Sequence, residues 1–153
     1  MNIRYFCSFI PTLGPIGYLP APGTMGTIAT IPLIYLLHAW LPNAVYGFLI
    51  LIFILISYLV ISYTLAYFPH AKDPQEIIID EVVGCIITFW HVPLTFKTVV
   101  LGFLLFRLFD IAKFGWIDRV QKYPRAWGIL LDDIVAGLFA NVIMRILLLF
   151  FIL

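Results

Sequence analysis

Charge is what this chain has least of. Asp, Glu, Lys and Arg make up 11% of its 153 residues and 63% are hydrophobic, where a soluble domain carries about 25% charged residues. That balance excludes a water-soluble globule and leaves an integral membrane protein, read as one domain over residues 1–153. The net charge is +1 and no basic run occurs, so no nucleic acid partner is expected. Cysteine is almost absent. Cys7 and Cys85 stand far apart, which excludes a CxxC motif and leaves two buried thiols as the plain reading. His38, His70 and His91 are scattered near the ends of apolar segments. They show no zinc-ligand spacing and suit the membrane interface. Met1–Ile10 holds one arginine and a short apolar patch before Pro11. That is too little for a secretory leader, so the first segment is expected to be retained.

What the chain does have is apolar runs. Residues 1–26 close on GPIGYLPAPGTMG, whose prolines and glycines predict irregular backbone up to Gly26. Thr27–Trp40 follows as a short helix broken at Pro32, with Thr24 or Thr27 as its cap. Asn43–Phe68 is the clearest span, about 26 residues without a charge, beyond the ~20 needed to cross. Ile77–Trp90 contains Asp80 and Glu81 and is only about 14 residues, a rise of ~21 Å. Leu94–Lys113 and Ile129–Leu153 complete the set. None keeps strand alternation, and all are too long for barrel strands. The expected fold is all-α, a polytopic helical membrane bundle of about four to five membrane segments.

The connector Phe114–Gly128 contains Arg119, Lys122 and Arg125, with Lys113 at its edge, and no other connector is as basic. The positive-inside rule puts it in the cytoplasm. If all five segments cross, alternation from this connector brings Asp80, Glu81, Asp110, Asp132 and Asp133 to one depth at the cytoplasmic side. Thr24 and the glycine-rich entry face the same way. Five of the eight acids therefore converge. An ionised side chain costs roughly 2.5–3.5 kcal/mol at the bilayer centre, so such a gathering marks function by default. Helical spacing adds detail. Arg107, Asp110 and Lys113 recur every three residues, Asp133, Gly137 and Asn141 every four, and Asp80 with Gly84 repeats the pairing. Glycines so placed let helix backbones approach, which brings the carboxylates within reach of each other.

Five carboxylates against Arg107 and Lys113 leave a net charge of about −3 if all are ionised (five acids less two bases). Hard oxygen donors suit Mg²⁺, Mn²⁺ or Ca²⁺, and a bound cation would let an acidic site accept an anionic headgroup. Each pair has a plainer reading. Asp132-Asp133 and Asp80-Glu81 suit the polar starts of helices, and Arg107–Asp110 suits a structural ion pair. Their coincidence at one depth is what sets them apart. Lys72, Asp73 and Glu76 read as a solvated loop, and Arg145 either snorkels or pairs.

Four stretches then carry a resemblance: PAPGTMGT (20–27), DPQEIIIDEVVG (73–84), FRLFDIAK (106–113) and WGILLDDIVAG (127–137). In that order they resemble the phosphatidylglycerophosphatase A family of bacteria, over most of the chain. The resemblance implies a Mg²⁺-dependent, multi-pass lipid phosphatase of the inner (cytoplasmic) membrane. Its reaction, a step of phospholipid biosynthesis, would convert the anionic phospholipid phosphatidylglycerophosphate to phosphatidylglycerol and phosphate. By position, Asp80, Glu81, Asp110, Asp132 and Asp133 match the family's acidic residues, expected as metal ligands and catalytic groups. Arg107 and Lys113 fall in its FRxFDxxK motif and would steady charge on the transferring group. Gly23, Thr24 and Gly26 fall in its PGT motif and would contact substrate phosphate. The chain departs at Phe114-Gly115-Trp116, where the family carries a proline-rich turn, and at Arg125-Ala126, where it carries a glycine pair. Two rival readings stand beside this one: a small cation or proton transporter using the same acids as a relay, and a non-catalytic membrane subunit.

Overall fold

The computed structural model describes residues 9–67 and 75–150. The expectations attached to Cys7, His70, Lys72 and Asp73 lie outside the described residues. Among these, every regular element is helical: a 3₁₀ turn at Ile16–Tyr18, α1 (Pro22–Trp40), α2 (Asn43–Tyr67), α3 (Ile79–Phe89), α4 (Phe96–Ala112), α5 (Trp116–Val120) and α6 (Ala126–Phe150).

The first correction falls on α1. It starts at Pro22 rather than after Gly26, and it runs unbroken through Pro32. A proline in the first turn loses no helical hydrogen bond and already has the right φ. Residues that looked like loop are therefore the opening turn of a helix. Neither Thr24 nor Thr27 caps it. The cap position is Ala21, held left-handed at φ 54°, and Thr27 donates its hydroxyl back to the Gly23 carbonyl at 2.8 Å. By contrast α4 begins on a reciprocal pair, the Thr98 amide donating to Thr95 Oγ1 at 3.2 Å and the Thr95 amide to Thr98 Oγ1 at 2.8 Å.

Among the described residues, two helices, α2 over Asn43–Ala66 and α6 over Ala126–Phe150, are long and apolar enough to cross a membrane. Both expose large side chains every three or four residues, as at Phe48, Leu51, Leu55 and Leu59, and at Leu138, Val142, Ile146 and Leu149. The same pattern runs along α4 at Val100, Leu104, Leu108 and Ile111. Apolar surface on this scale suits lipid rather than water.

Helix α3 is the opposite case. Its 11 residues rise about 16 Å, roughly half of a ~30 Å hydrocarbon core. All of them except Glu81 are buried, in contact with α1, α2, α4 and α6. It is a central rod, not a lipid-facing span. Of the four to five spans expected, two helices meet the length and composition of one. Lipid tails are as apolar as leucine, so helices in a membrane gain little from burial as such and are held by close packing and polar contacts. Both are present around α3. A Cβ on Gly137 of α6 would strike the Gly84 carbonyl, and one on Gly102 of α4 would lie 2.7 Å from the Phe89 ring. From α2, the buried Tyr46 hydroxyl donates to the Ile86 carbonyl at 3.0 Å.

Candidate active site

The site begins with the backbone contact between α3 and α6. A Cβ on Gly84 would lie 2.7 Å from the Asp133 carbonyl, as one on Gly137 would strike Gly84 itself. Each glycine stands one helical turn beyond an acid, Asp80 in α3 and Asp133 in α6. The bare backbones thus bring the two carboxylates face to face. Glu81 joins them, and oxygens of Asp80, Glu81 and Asp133 all lie within 4.8 Å of one another.

These acids are deeply placed, Asp80 at 7% exposure and Asp133 at 2%. Asp80 Oδ1, Glu81 Oε2 and Asp133 Oδ1 are buried with no hydrogen-bond partner. A buried acceptor left empty costs about 1–3 kcal/mol, more when charged. Three such acceptors, on acids whose carboxylates gather within 4.8 Å of one another, make an arrangement that a cation relieves. The donor set is all carboxylate oxygen, which fits a hard divalent ion of the Mg²⁺ class and not a zinc-type site.

The other two acids are engaged differently. Asp110 accepts from Arg107 Nη1 three residues earlier in α4. Asp132 Oδ2 accepts from Lys113 Nζ at 2.7 Å, and its Oδ1 accepts the Asp133 amide at 3.1 Å. Lys113 ends α4 in a left-handed conformation, φ 47°, and from that end its side chain reaches across to α6.

The N-terminus of α1 closes the remaining side. Gly23 approaches so closely that a Cβ there would strike Glu81 Oε1 and lie 2.9 Å from Arg107 Nη1. The first turn-closing bond of α1 runs from the Met25 amide to the Ala21 carbonyl at 3.1 Å. The Gly23 and Thr24 amides precede it, which is the usual anion-binding end of a helix.

The seven charged residues expected in the site, Asp80, Glu81, Arg107, Asp110, Lys113, Asp132 and Asp133, line one cavity of about 210 Å³ together with Gly23. Thr24 and Gly26 are not in its wall. Gly26 faces the Ile78 side chain, a packing position with 3.2 Å to a Cβ. Asn141 shares a helix with Asp133 but bonds the Thr88 and Trp90 carbonyls, away from the acids. Ala21, Pro22 and Gln75 also line the cavity and were not anticipated. The signal for the first two was present, since a proline just before Gly-Thr marks a helix start as readily as a loop.

A family model described as Phosphatidylglycerophosphatase A matches residues 9–148. Over 120 residues the chain is 36% identical to Phosphatidylglycerophosphatase A of Escherichia coli (strain K12), covering 76% of this chain and 67% of that protein. Over 129 residues it is 33% identical to the protein of the same name from Haemophilus influenzae, 81% of this chain and 77% of that one. A shorter likeness, 30% over 78 residues and 49% of each chain, is to a Putative phosphatidylinositol-3-phosphatase of Bacteroides thetaiotaomicron. No solved structure matches.

Proposed function

The chain belongs to the phosphatidylglycerophosphatase A family, and on that premise we propose that it hydrolyses phosphatidylglycerophosphate at the cytoplasmic leaflet of the bacterial inner membrane. The observation that carries this reading is the trio of unpartnered, buried carboxylate oxygens beside two cationic side chains.

Asp80, Glu81 and Asp133 are the residues that would hold a divalent cation, with Mg²⁺ the expected one. When bound, such an ion offsets charge on the phosphoryl group and activates water. The chain's own groups do the rest. Arg107 and Lys113 offer charged donors to the non-bridging oxygens, where negative charge builds during transfer. The Gly23 amide at the head of α1 addresses the same dianion. Water adds to phosphorus, the bond from phosphorus to the glycerol oxygen breaks, and that oxygen leaves as an alcohol after gaining a proton. The products are phosphatidylglycerol and inorganic phosphate.

Orientation follows from the connector. Arg119, Lys122 and Arg125 mark it as cytoplasmic, and it begins at Lys113, itself a wall of the cavity. In this reading α1, α2, α4 and α6 pack around the buried α3 and the chain passes between the two sides through all five, with α1, α3 and α6 leading away from the cytoplasm and α2 and α4 back to it.

Purified protein presented with phosphatidylglycerophosphate in vesicles should release phosphate, lose that release in EDTA, and regain it with Mg²⁺. Release that ignores the chelator would overturn the metal's part. Silence towards the lipid, together with cation or proton flux in liposomes lacking it, would make the protein a transporter instead.

A further inference from the structure

We infer that the five acids divide their work: Asp80, Glu81 and Asp133 seat a single divalent cation, while Asp110 and Asp132 are positioning residues that aim Arg107 and Lys113 and do not bind metal. This inference rests on the reading of the site as a phosphomonoester hydrolase, and it narrows the wider set of five ligands that the sequence suggests.

Three observations separate the groups. The empty carboxylate oxygens all belong to Asp80, Glu81 and Asp133, and these are the acids whose oxygens fall within 4.8 Å of one another. Asp132 already uses both oxygens, one for Lys113 and one for the Asp133 amide. Asp110 carries the Arg107 guanidinium, so a metal on that carboxylate would sit against a fixed positive charge. Arg107, meanwhile, keeps capacity to spare. Arg107 Nε is buried without a partner while Nη1 is held by Asp110, so the guanidinium is fixed in place and still has a donor to give.

The two pairs also differ in how they reach the cavity. Arg107–Asp110 lies within one turn of α4, whereas Lys113–Asp132 ties the end of α4 to α6. Both bring a positive head to the wall that Gly23 and the first turn of α1 also line. Removing either acid would take away the contact that aims its cation. A carboxylate that orients a functional group in this way typically matters by about 10–100-fold.

The experiment uses Mn²⁺ as the probe, titrated calorimetrically into the purified full chain. Wild type should take up one Mn²⁺ per chain in the absence of substrate. Glu81→Gln should weaken Mn²⁺ binding about tenfold or more. The charge-conserving double variants Arg107→Gln/Asp110→Asn and Lys113→Gln/Asp132→Asn should bind Mn²⁺ within about threefold of wild type, because each removes a neutral pair. Turnover of phosphatidylglycerophosphate should fall in kcat more than in KM. Asp110→Asn, Arg107→Gln and their combination should lose about the same amount, as partners acting as one unit do. Two Mn²⁺ per wild-type chain, or a loss in either double variant as large as in Glu81→Gln, overturns the division. The wild-type stoichiometry decides even if a variant does not fold. Mn²⁺ uptake is read without lipid, so the expected binding pattern in a protein that releases no phosphate would sink the proposed function and leave the division standing.

Discussion

The two ends of α3 are built from the same neighbours and meet opposite fates. At its C-terminal end the helix leaves carbonyls without amide partners, and donors arrive to meet them. Asn141 of α6 donates to the Thr88 and Trp90 carbonyls at 2.9 and 2.7 Å, and Arg145 donates to Trp90 at 3.1 Å. His38 places its two ring nitrogens 3.0 and 3.1 Å from the Ile34 and Val92 carbonyls. Arg145 therefore pairs rather than snorkels, and its charge suits the negative end of a helix. At the N-terminal end, acceptors gather instead, and three of their oxygens have nothing to accept. One end is a polar clasp whose carbonyls are met, with Arg145 Nε the one buried donor left over among the groups named. The other has valences waiting for something that the chain does not supply. Within a single buried helix, one end has its carbonyls met while the other keeps three buried acceptors unmet, which makes the second the candidate for function.

The largest effect should follow from breaking the open end. Asp133→Ala removes a carboxylate from the trio, and phosphate release from phosphatidylglycerophosphate should fall by at least about 10²–10³-fold. The protein should remain in the membrane. In the absence of metal it should unfold no earlier than wild type, since the deleted group is buried at 2% exposure with an unpartnered oxygen. Saturating Mg²⁺ should raise the wild-type melting temperature, by about 2.7 kcal/mol of stabilisation at a hundredfold excess over Kd, and should leave the variant where it was. A variant that melts early with or without metal would show Asp133 to be structural, and the contrast between the ends would collapse.

Next comes the hinge between the two ends. Gly137→Ala puts a methyl group where the Gly84 carbonyl sits. Backbone cannot yield as a side chain tip does, so α3 and α6 must part, at a cost of about 1–3 kcal/mol. The acids on either side move apart with them. Thermal unfolding and Mn²⁺ affinity should fall together in this variant. Lowered stability with unchanged Mn²⁺ affinity would mean that the trio does not depend on this contact.

Much of the candidate site was legible in the sequence because lipid punishes charge so heavily. Asp80-Glu81, Asp110 and Asp132-Asp133 stand out against uncharged surroundings, and one basic connector was enough to place them at a common depth. The glycines one turn beyond Asp80 and Asp133 were legible for a similar reason, since helical period alone puts each on its acid's face. What could not be read was whatever depends on a partner far along the chain. The Lys113–Asp132 pair is such a case, requiring α4 to end in a left-handed residue, a conformation that no lysine announces. The start of α1 was hidden because proline and glycine serve a loop and a first turn equally well, and the left-handed Ala21 that settles it is not a residue type expected there. Whether Ile77–Trp90 spans or is enclosed depends on how many neighbours surround it. Periodicity cannot report that for a segment buried on every side.

A smaller effect is expected at the clasped end. Asn141→Ala withdraws two donors, and hydrogen bonds inside membrane proteins are worth about 0.6 kcal/mol each on average, so the loss should be about 1 kcal/mol. Phosphate release per folded molecule should stay within about twofold of wild type, because no atom of Asn141 reaches the acid trio. A collapse of activity without loss of stability would join the two ends functionally and end the distinction between them.

The smallest effect is the control that shows the contrast to be about burial rather than polarity. Lys122 and Asp118 form an ion pair as short as Lys113–Asp132, 2.7 Å in both. The side chains of the first pair are 71% and 55% exposed, those of the second 29% and 8%. Water screens the exposed pair and competes for both partners, so Lys122→Ala should shift stability by no more than about 0.5 kcal/mol and leave turnover unchanged. Equal distances then carry unequal consequences, because Lys113 and Asp132 are enclosed at the cavity and join two helices while Lys122 and Asp118 are an exposed local pair. Should Lys122→Ala depress kcat as Lys113→Gln does, the connector would belong to the site, and the reach of the cavity would have to be redrawn to include it.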